Sequence, residues 1–190
     1  MKSNLLKSIR LTLVLILFFS GFYTLIILGI AQLAPNRGQG ETVTFRNKTY
    51  YTNIGQSFTE DRYFWSRPSE TDYNAANSGA SNKGPSNPQY LKLVQARIDT
   101  FMVHNPVISR NEIPALLVTA SGSGLDPDIS PQAALIQVKR IAKIRNISEG
   151  ALRKLVEKYT NRPLLGLFGP TTVNVLKLNI ALDSLKTPGN

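Results

Sequence analysis

The distribution of apolar positions divides the chain in two. From Leu11 to Ala34 a run rich in Leu, Ile, Val and Phe contains no charged residue, and no second run of that length follows. About 24 residues suffice for a helix to cross a hydrocarbon core of roughly 30 Å with some tilt. Roughly fifteen of them are Leu, Ile, Val or Phe, each favouring insertion by about 0.3–0.6 kcal/mol, which sums to several kcal/mol. Pro35 is placed to end the helix as it leaves the bilayer. The pattern therefore predicts one transmembrane helix over 11–34, a short flank at 1–10 and one large domain over 35–190.

Beyond the run the pattern changes character. Val43 and Phe45 alternate with polar residues, Asn47-Lys48 offers a turn, and Thr49 to Tyr51 resume β-prone residues, so Thr42 to Tyr51 reads as a β-hairpin. From Ile54 to Pro88 the chain is rich in Gly, Ser, Asn and Pro, with aromatics at Phe58, Tyr63, Phe64, Trp65 and Tyr73. Such a stretch cannot form long regular elements and is expected to wrap the surface as ordered loop pinned by its rings. Helical signals come next. Asn87-Pro88 is an N-cap with proline at the first helical position, followed by Leu91, Val94, Ile98, Phe101 and Met102 up to Pro106. Ile113 to Ala120 stays open between strand and helical turn. Ser130-Pro131 opens a second helix with Ala134, Val138, Ile141 and Ala142 on one face and Lys139, Arg140 and Lys143 around it. Ser148 caps a third, carrying Leu152, Leu155, Val156 and Tyr159. A turn from Pro163 to Pro170 leads to a last amphipathic element with Val175, Leu178, Leu182 and Leu185. Strand-like material first and helices after is an α+β arrangement, a small β-hairpin or sheet with several amphipathic helices.

Charge sets the orientation. Lys2, Lys7 and Arg10 crowd the flank with no acidic residue among them. The positive-inside rule puts 1–10 in the cytoplasm and 35–190 outside the cytoplasm, and long domains cross largely regardless of their own charge. A cleaved signal peptide is the rival reading. The run exceeds the usual apolar core of about 7–15 residues, and its exit at Ala31 and Ala34 lacks a clean A-x-A, so retention as an anchor is preferred.

Composition removes several chemistries. The chain has no cysteine, hence no disulfide or thiolate, and one histidine, His104, expected as an exposed or capping residue near a helix C-terminus. The net charge of +10 points to an anionic contact, anionic lipid headgroups or an acidic protein face; a merely solvated basic surface is the alternative. No aromatic-plus-basic stripe supports nucleic acid. The Ser-Gly stretch from Ala120 to Gly124 lacks the Gly-Lys-Ser/Thr ending of a phosphate loop and the first glycine of a nucleophile elbow, so it reads as a turn. Asp126 and Asp128 flank Pro127 as turn or cap residues, or as a sparse cation site. Asn47-Lys48-Thr49 and Asn146-Ile147-Ser148 match glycosylation sequons by chance. Arg67, Asp126, Asp128 and Gln137 could line a pocket, but no nucleophile and base pair is visible.

Longer blocks carry more. Ile54-Gly55-Gln56-Ser57-Phe58, Tyr63-Phe64, Arg67-Pro68-Ser69, Tyr73-Asn74, Ser78-Gly79, Ser81-Asn82 and Gly84 to Pro88 form the first. Leu117 to Ser121, Ser123 to Pro127, Ile129-Ser130-Pro131, Ala133-Ala134, Gln137 and Arg140-Ile141-Ala142 form the second, and Val173 to Leu176, Leu178-Asn179 and Ala181-Leu182-Asp183 close the chain. Together they resemble the C subunit of the potassium-transporting Kdp P-type ATPase over nearly the whole chain. The resemblance implies a bacterial inner-membrane complex in which a channel-like A subunit selects potassium and a B subunit hydrolyses ATP, with a small F subunit as a further partner. It implies a non-catalytic accessory subunit, described as an assembly factor or catalytic chaperone that raises the pump subunit's ATP affinity. It has no cofactor of its own. Arg67, Asn74, Ser78, Asn82, Asp126, Ser130, Gln137 and Arg140 become candidates for the partner interface. Ser20, Gly21, Thr24 and Gly29 become candidates for helix packing on the channel subunit, because small side chains permit close approach. The L-S-x-x-Q stretch invoked for the family falls on Ile147 to Ala151, where the glutamine is missing and Ser148 serves as a cap. An independent membrane-anchored envelope enzyme and a lipid-surface scaffold are the competing classes.

Overall fold

The computed structural model describes residues 2–34 and 36–185; Pro35, the expected helix stop, lies outside the described residues. Two compact units result, divided at Thr42 and Val43.

The N-terminal unit is one continuous helix. α1 (Lys2–Ile16) runs through a wider π-helical stretch, Leu17–Tyr23, into α2 (Thr24–Ala31). Nothing in the basic flank breaks helical geometry, so the helix begins before the expected Leu11. It ends earlier than expected, at Ala31, where Gln32, Leu33 and Ala34 N–H groups close a tight turn at 3.0–3.1 Å. The stretch Asn4–Ala31 is long and apolar enough to cross a membrane. Thr24 Oγ1 donates to the Phe19 carbonyl at 3.2 Å, five residues back, which feeds an acceptor in the widened stretch.

A hairpin of β1 (Thr42–Phe45) and β2 (Lys48–Tyr51) opens the second unit, its first residue being the last of the N-terminal one. Its turn lies at Arg46-Asn47, one residue before the expected Asn47-Lys48. Both have positive φ, 49° and 61°, the type I′ geometry that matches the twist of the flanking strands. The stretch from 52 to 87 is loop, as its composition dictates, but it is stitched down. Gly55 N–H donates to Leu125 O at 2.7 Å, and Gly79 N–H to Ser123 O at 2.8 Å. Glycine is demanded at both sides of this seam. A Cβ on Gly55 would lie 2.7 Å from Asp126 O, and Gly124, at φ +70°, would drive one to 2.5 Å from Thr71 Oγ1.

α3 (Pro88–His104) starts as expected, the Asn87 side chain accepting from Gln89 and Tyr90 N–H at 3.0 Å. Its apolar stripe is shallower than the spacing implied: only Phe101 is buried and Leu91 is exposed. The open stretch Ile113 to Ala120 resolves into a 3₁₀ turn, Ala115–Leu117. Next come β3 (Asp128–Ile129), α4 (Pro131–Leu135), α5 (Val138–Arg145), α6 (Glu149–Lys158), β4 (Thr160–Asn161), β5 (Thr172–Asn174) and α7 (Val175–Ser184). β5 is the middle of an antiparallel sheet ordered β3-β5-β4, with Val173 opposite both Ile129 and Thr160. The class is α+β as expected, but the order of strands first and helices after is corrected. Strands of two or three residues leave no alternation to read. Phe64, Phe101, Ile129, Ile141, Leu152, Val156, Val173, Leu178 and Leu182 form the core between this sheet and the helices.

The expected second helix is two. Gln137 Nε2 donates to the Ala133 carbonyl at 2.9 Å, the acceptor its own N–H would use in a continuous α-helix. That N–H bonds Ala134 O instead, at 3.1 Å, and the ladder turns between α4 and α5.

The two glycine environments predict opposite signs. Gly55→Ala is expected to destabilise by about 1–3 kcal/mol through overpacking against backbone. Gly150→Ala in α6, where a Cβ meets nothing within 4 Å, is expected to stabilise by up to about 1 kcal/mol. Denaturant midpoints of the full chain in detergent check both.

Candidate functional site

The residues singled out by their motifs converge on one stretch of loop, Tyr63-Phe64-Trp65. Phe64 is buried, so its backbone polar groups must be paired, yet among the described residues no strand pairs with it. Side chains do the pairing. Asn179 of α7 accepts from Phe64 N–H with Oδ1 and donates to Phe64 O with Nδ2, each at 2.9 Å, as a neighbouring strand would. Gln137 Oε1 accepts from Trp65 N–H at 2.8 Å and from Arg140 Nη2 at 2.7 Å. Arg140 also donates to Tyr63 O at 3.1 Å, to Asn105 Oδ1 at 3.1 Å and to the Asp61 carbonyl, while its guanidinium stacks 4.8 Å from the Trp65 ring. Burial pulls the Arg140 pKa down to about 10, against the opposing charge of Asp61, so it remains a cation near neutral pH.

This corrects two expectations. Arg140 belongs to the core and not to the charged surround of α5, and Gln137 is fully buried. The hydrogen bonds of both run to this chain's own groups, and Arg140 also lines a cavity with Asp61, His104 and Asn105. His104 is the last residue of α3, as expected. Its Nδ1 is 2.9 Å from Asp61 Oδ2, and its ring lies edge-on to Trp65 at 5.0 Å.

A second cluster secures the seam. Arg67 donates from Nε to Thr119 O and from Nη2 to Ala120 O, both at 3.2 Å, and pairs through Nη1 with Asp126 Oδ2 at 2.9 Å. Asp126 Oδ1 accepts from Asp128 N–H at 3.0 Å, the turn role expected of it. Burial first, and the Asp126 charge second, push the Asp128 carboxyl above its ordinary range. Tyr73 Oη donates to Arg67 O at 2.7 Å, and its burial raises that phenol to about 12. Ser78 Oγ donates to Ser123 O at 3.1 Å. Ser130 caps α4 by accepting from Ala133 N–H at 3.1 Å. Asn74 Oδ1 accepts from Ala76 N–H at 3.0 Å, and Asn82 is an exposed residue at φ 52°. The candidates thus form two groups: Gln137 with Arg140, and Arg67, Asp126 and Ser78 along the seam. Asn74, Asn82 and Ser130 join neither. In the N-terminal unit Ser20, Gly21 and Thr24 lie in or beside the π-helical stretch, and a Cβ added at Gly21 or Gly29 would meet nothing within 4 Å.

Sequence reasoning missed a third cluster. Asp183 accepts from Tyr63 Oη at 2.8 Å and Arg46 at 3.0 Å, and pairs with Arg145, which also donates to Arg62 O at 2.9 Å. Burial alone would raise the Asp183 pKa; hydrogen bonds from Arg145 and Tyr63 outweigh it and hold the carboxyl below its usual range. Asn105 and Asn179 were missed too, although a polar residue set among Val175, Leu178 and Leu182 is a legible signal of a buried hydrogen-bonding task. Among the described residues no group of three or more His, Cys, Asp or Glu is placed to hold a metal.

Comparison with known proteins follows the same span. The family model described as "K+-transporting ATPase, c chain" matches residues 5–184. The potassium-transporting ATPase KdpC subunit of Bacteroides fragilis is 55% identical over 187 residues, covering 96% of this chain and 98% of that protein. Its counterpart in Flavobacterium psychrophilum is 55% identical over 184 residues, 96% and 99% of the two chains. That of Caldanaerobacter subterraneus subsp. tengcongensis is 43% identical over 184 residues, 96% and 95%.

Asn179→Leu removes both partners of Phe64, and two orphaned backbone groups are expected to cost roughly 2–5 kcal/mol, read as a lowered urea midpoint. Asp183 carries a pH signature. Its folded pKa is depressed, so its contribution is present above the unfolded value of about 4 and is lost as pH falls through the folded value. Asp183→Asn is therefore expected to lower stability at pH 7 and to flatten the acid limb of the stability profile, measured by chemical denaturation across pH.

Proposed function

Because the chain belongs to the family of C chains of potassium-transporting ATPases, we propose that it acts as a non-catalytic accessory subunit. In this reading the N-terminal helix anchors it in the bacterial inner membrane with the N-terminus in the cytoplasm. The folded domain stands on the extracytoplasmic side. The helix docks on a channel-like A subunit through Ser20, Gly21, Thr24 and Gly29, and the domain stabilises the assembly with an ATP-hydrolysing B subunit and a small F subunit. No cofactor of its own is required; ATP and potassium belong to the partners.

The observation that carries the reading is the inward commitment of the motif side chains. Arg67, Gln137 and Arg140 spend their hydrogen-bonding capacity on this chain's own backbone and side chains. Groups so occupied are suited to making a rigid body, which fits a subunit that works by shape and docking. Its role as catalytic chaperone then has a physical constraint. A domain outside the membrane cannot touch cytoplasmic ATP, so any gain in nucleotide affinity must arise from binding one state of the partners more tightly than another.

Two outcomes follow. Gly21→Leu with Gly29→Leu is expected to reduce co-purification with the channel-like subunit, because bulk at those positions prevents close helix approach; unchanged recovery removes the helix-docking part. Linkage is reciprocal: the factor by which this subunit tightens nucleotide binding must equal the factor by which a non-hydrolysable ATP analogue tightens this subunit's binding to the remaining complex. Titration of both in detergent checks the equality, and an analogue with no effect on subunit binding removes the chaperone part.

A further inference from the structure

The hairpin connecting β4 to β5 departs from the rest of the folded domain. Leu164, Leu165, Leu167 and Phe168 are 70, 81, 80 and 64% exposed, four large apolar side chains on one short loop. Scattered apolar residues on a surface need no explanation, whereas a contiguous cluster marks a contact. The loop is built and not frayed. Leu164 and Phe168 exchange backbone hydrogen bonds at 2.9 and 3.0 Å, and Gly166 N–H donates to Pro163 O at 2.9 Å. Leu165 is held at φ 54°, an uncommon conformation for a residue with a branched side chain, so backbone geometry is spent to aim these side chains outward.

The tip is convex, and it therefore requires either a preformed recess or a deformable apolar medium. Its base decides between them. A shallow groove of about 510 Å³ beside the hairpin combines apolar Pro131, Leu135 and Val156 with the charged Arg153, Lys154, Glu157 and Arg162. Arg153 pairs with Glu149 at 3.6 Å, while Lys154 and Arg162 are exposed and have no carboxylate partner among the described residues. From Thr160 through Leu182 there is no acidic residue. Apolar side chains at the tip and cations at its shoulder reproduce the layering of one leaflet, acyl chains beneath and phosphates above. Under the anchoring role proposed for the Asn4–Ala31 helix, on which this inference rests, a bilayer is the surface to which this domain is tethered.

We propose that the 163–170 hairpin is a lipid-contacting tip that places Leu164, Leu165, Leu167 and Phe168 at the acyl boundary of a bilayer containing anionic phospholipid, with Lys154 and Arg162 at the phosphates. The contact is separate from helix docking and from any effect on the pump subunit.

The absence of cysteine makes the test clean. Leu165→Cys in the full chain is labelled with an environment-sensitive fluorophore and placed in nanodiscs of phosphatidylglycerol and phosphatidylcholine, or of phosphatidylcholine alone. The expected result is blue-shifted emission and severalfold stronger quenching by acyl-brominated lipid in the anionic discs, reduced by Lys154→Glu with Arg162→Glu and by Leu167→Ser with Phe168→Ser. The substituted positions are exposed, and circular dichroism is the check that each variant folds. A label that stays solvent-like and unquenched in both discs overturns the proposal, and quenching that is equal in both overturns its anionic part. A photo-crosslinker at position 165 in the whole ATPase complex that couples to a partner polypeptide in place of lipid also overturns it. Co-purification with the partners is expected to survive the tip variants, so failure here and failure of the docking role are read by different measurements.

Discussion

A loop can enter a protein interior only if something pairs its backbone, and here that task falls on three side chains. Asn179, Gln137 and Arg140 hold Tyr63-Phe64-Trp65 as a neighbouring strand would. Because those bonds are satisfied, Phe64 can sit at the centre of the core and Trp65 can cover Arg140 and Phe101. The stretch from 52 to 87 then becomes a fixed wall, with Arg67 and Gly55 fastening its flanks to the turn at 119–128. Low dielectric strengthens each of these bonds and makes each unmade one costly, so the network acts as a unit.

The legible parts of this architecture are those with local causes. Asn87-Pro88, Ser130-Pro131 and Ser148 announce helix starts because capping is settled within four residues of the cap. The aromatic density of the loop announces order. What escaped reading depends on partners distant in sequence. Arg140 lies between two lysines on an amphipathic helix, and only the approach of Tyr63 and Asn105 makes its burial tolerable. Gln137 breaks a helix through a side chain that looks like any other polar residue. The strands of the three-stranded sheet are too short to show alternation, and Asp183 gains its arginines from the hairpin turn and from α5. The turn lies one residue earlier than expected, at Arg46-Asn47, where both residues have positive φ, and its Arg46 side chain reaches Asp183 and Tyr63.

This distribution of polar groups bears on the accessory role proposed for the chain. Arg67, Gln137 and Arg140 of the family-like motifs are turned inward, so their contribution to assembly would be the exactness of a shape and not a set of reacting groups. Contact with partner subunits would then fall to the apolar helix and the basic surface, and the leucine-rich hairpin is the part proposed to meet lipid. A rigid body on one side of a membrane communicates with the other side only through the conformational preferences of what it touches. That places the regulatory weight on packing surfaces.

The Phe64–Asn179 bonds join residues 115 positions apart, and the Arg46–Asp183 pair spans 137. Native topology of this kind forms slowly, because a long loop must close before its contacts reward it. The closing residues lie in α7, after the other described elements, and a polypeptide emerging N-terminus first cannot pair Phe64 with Asn179 until α7 has been made. On the extracytoplasmic placement proposed above, the domain would accordingly stay threadable through a narrow translocation pore until α7 emerges.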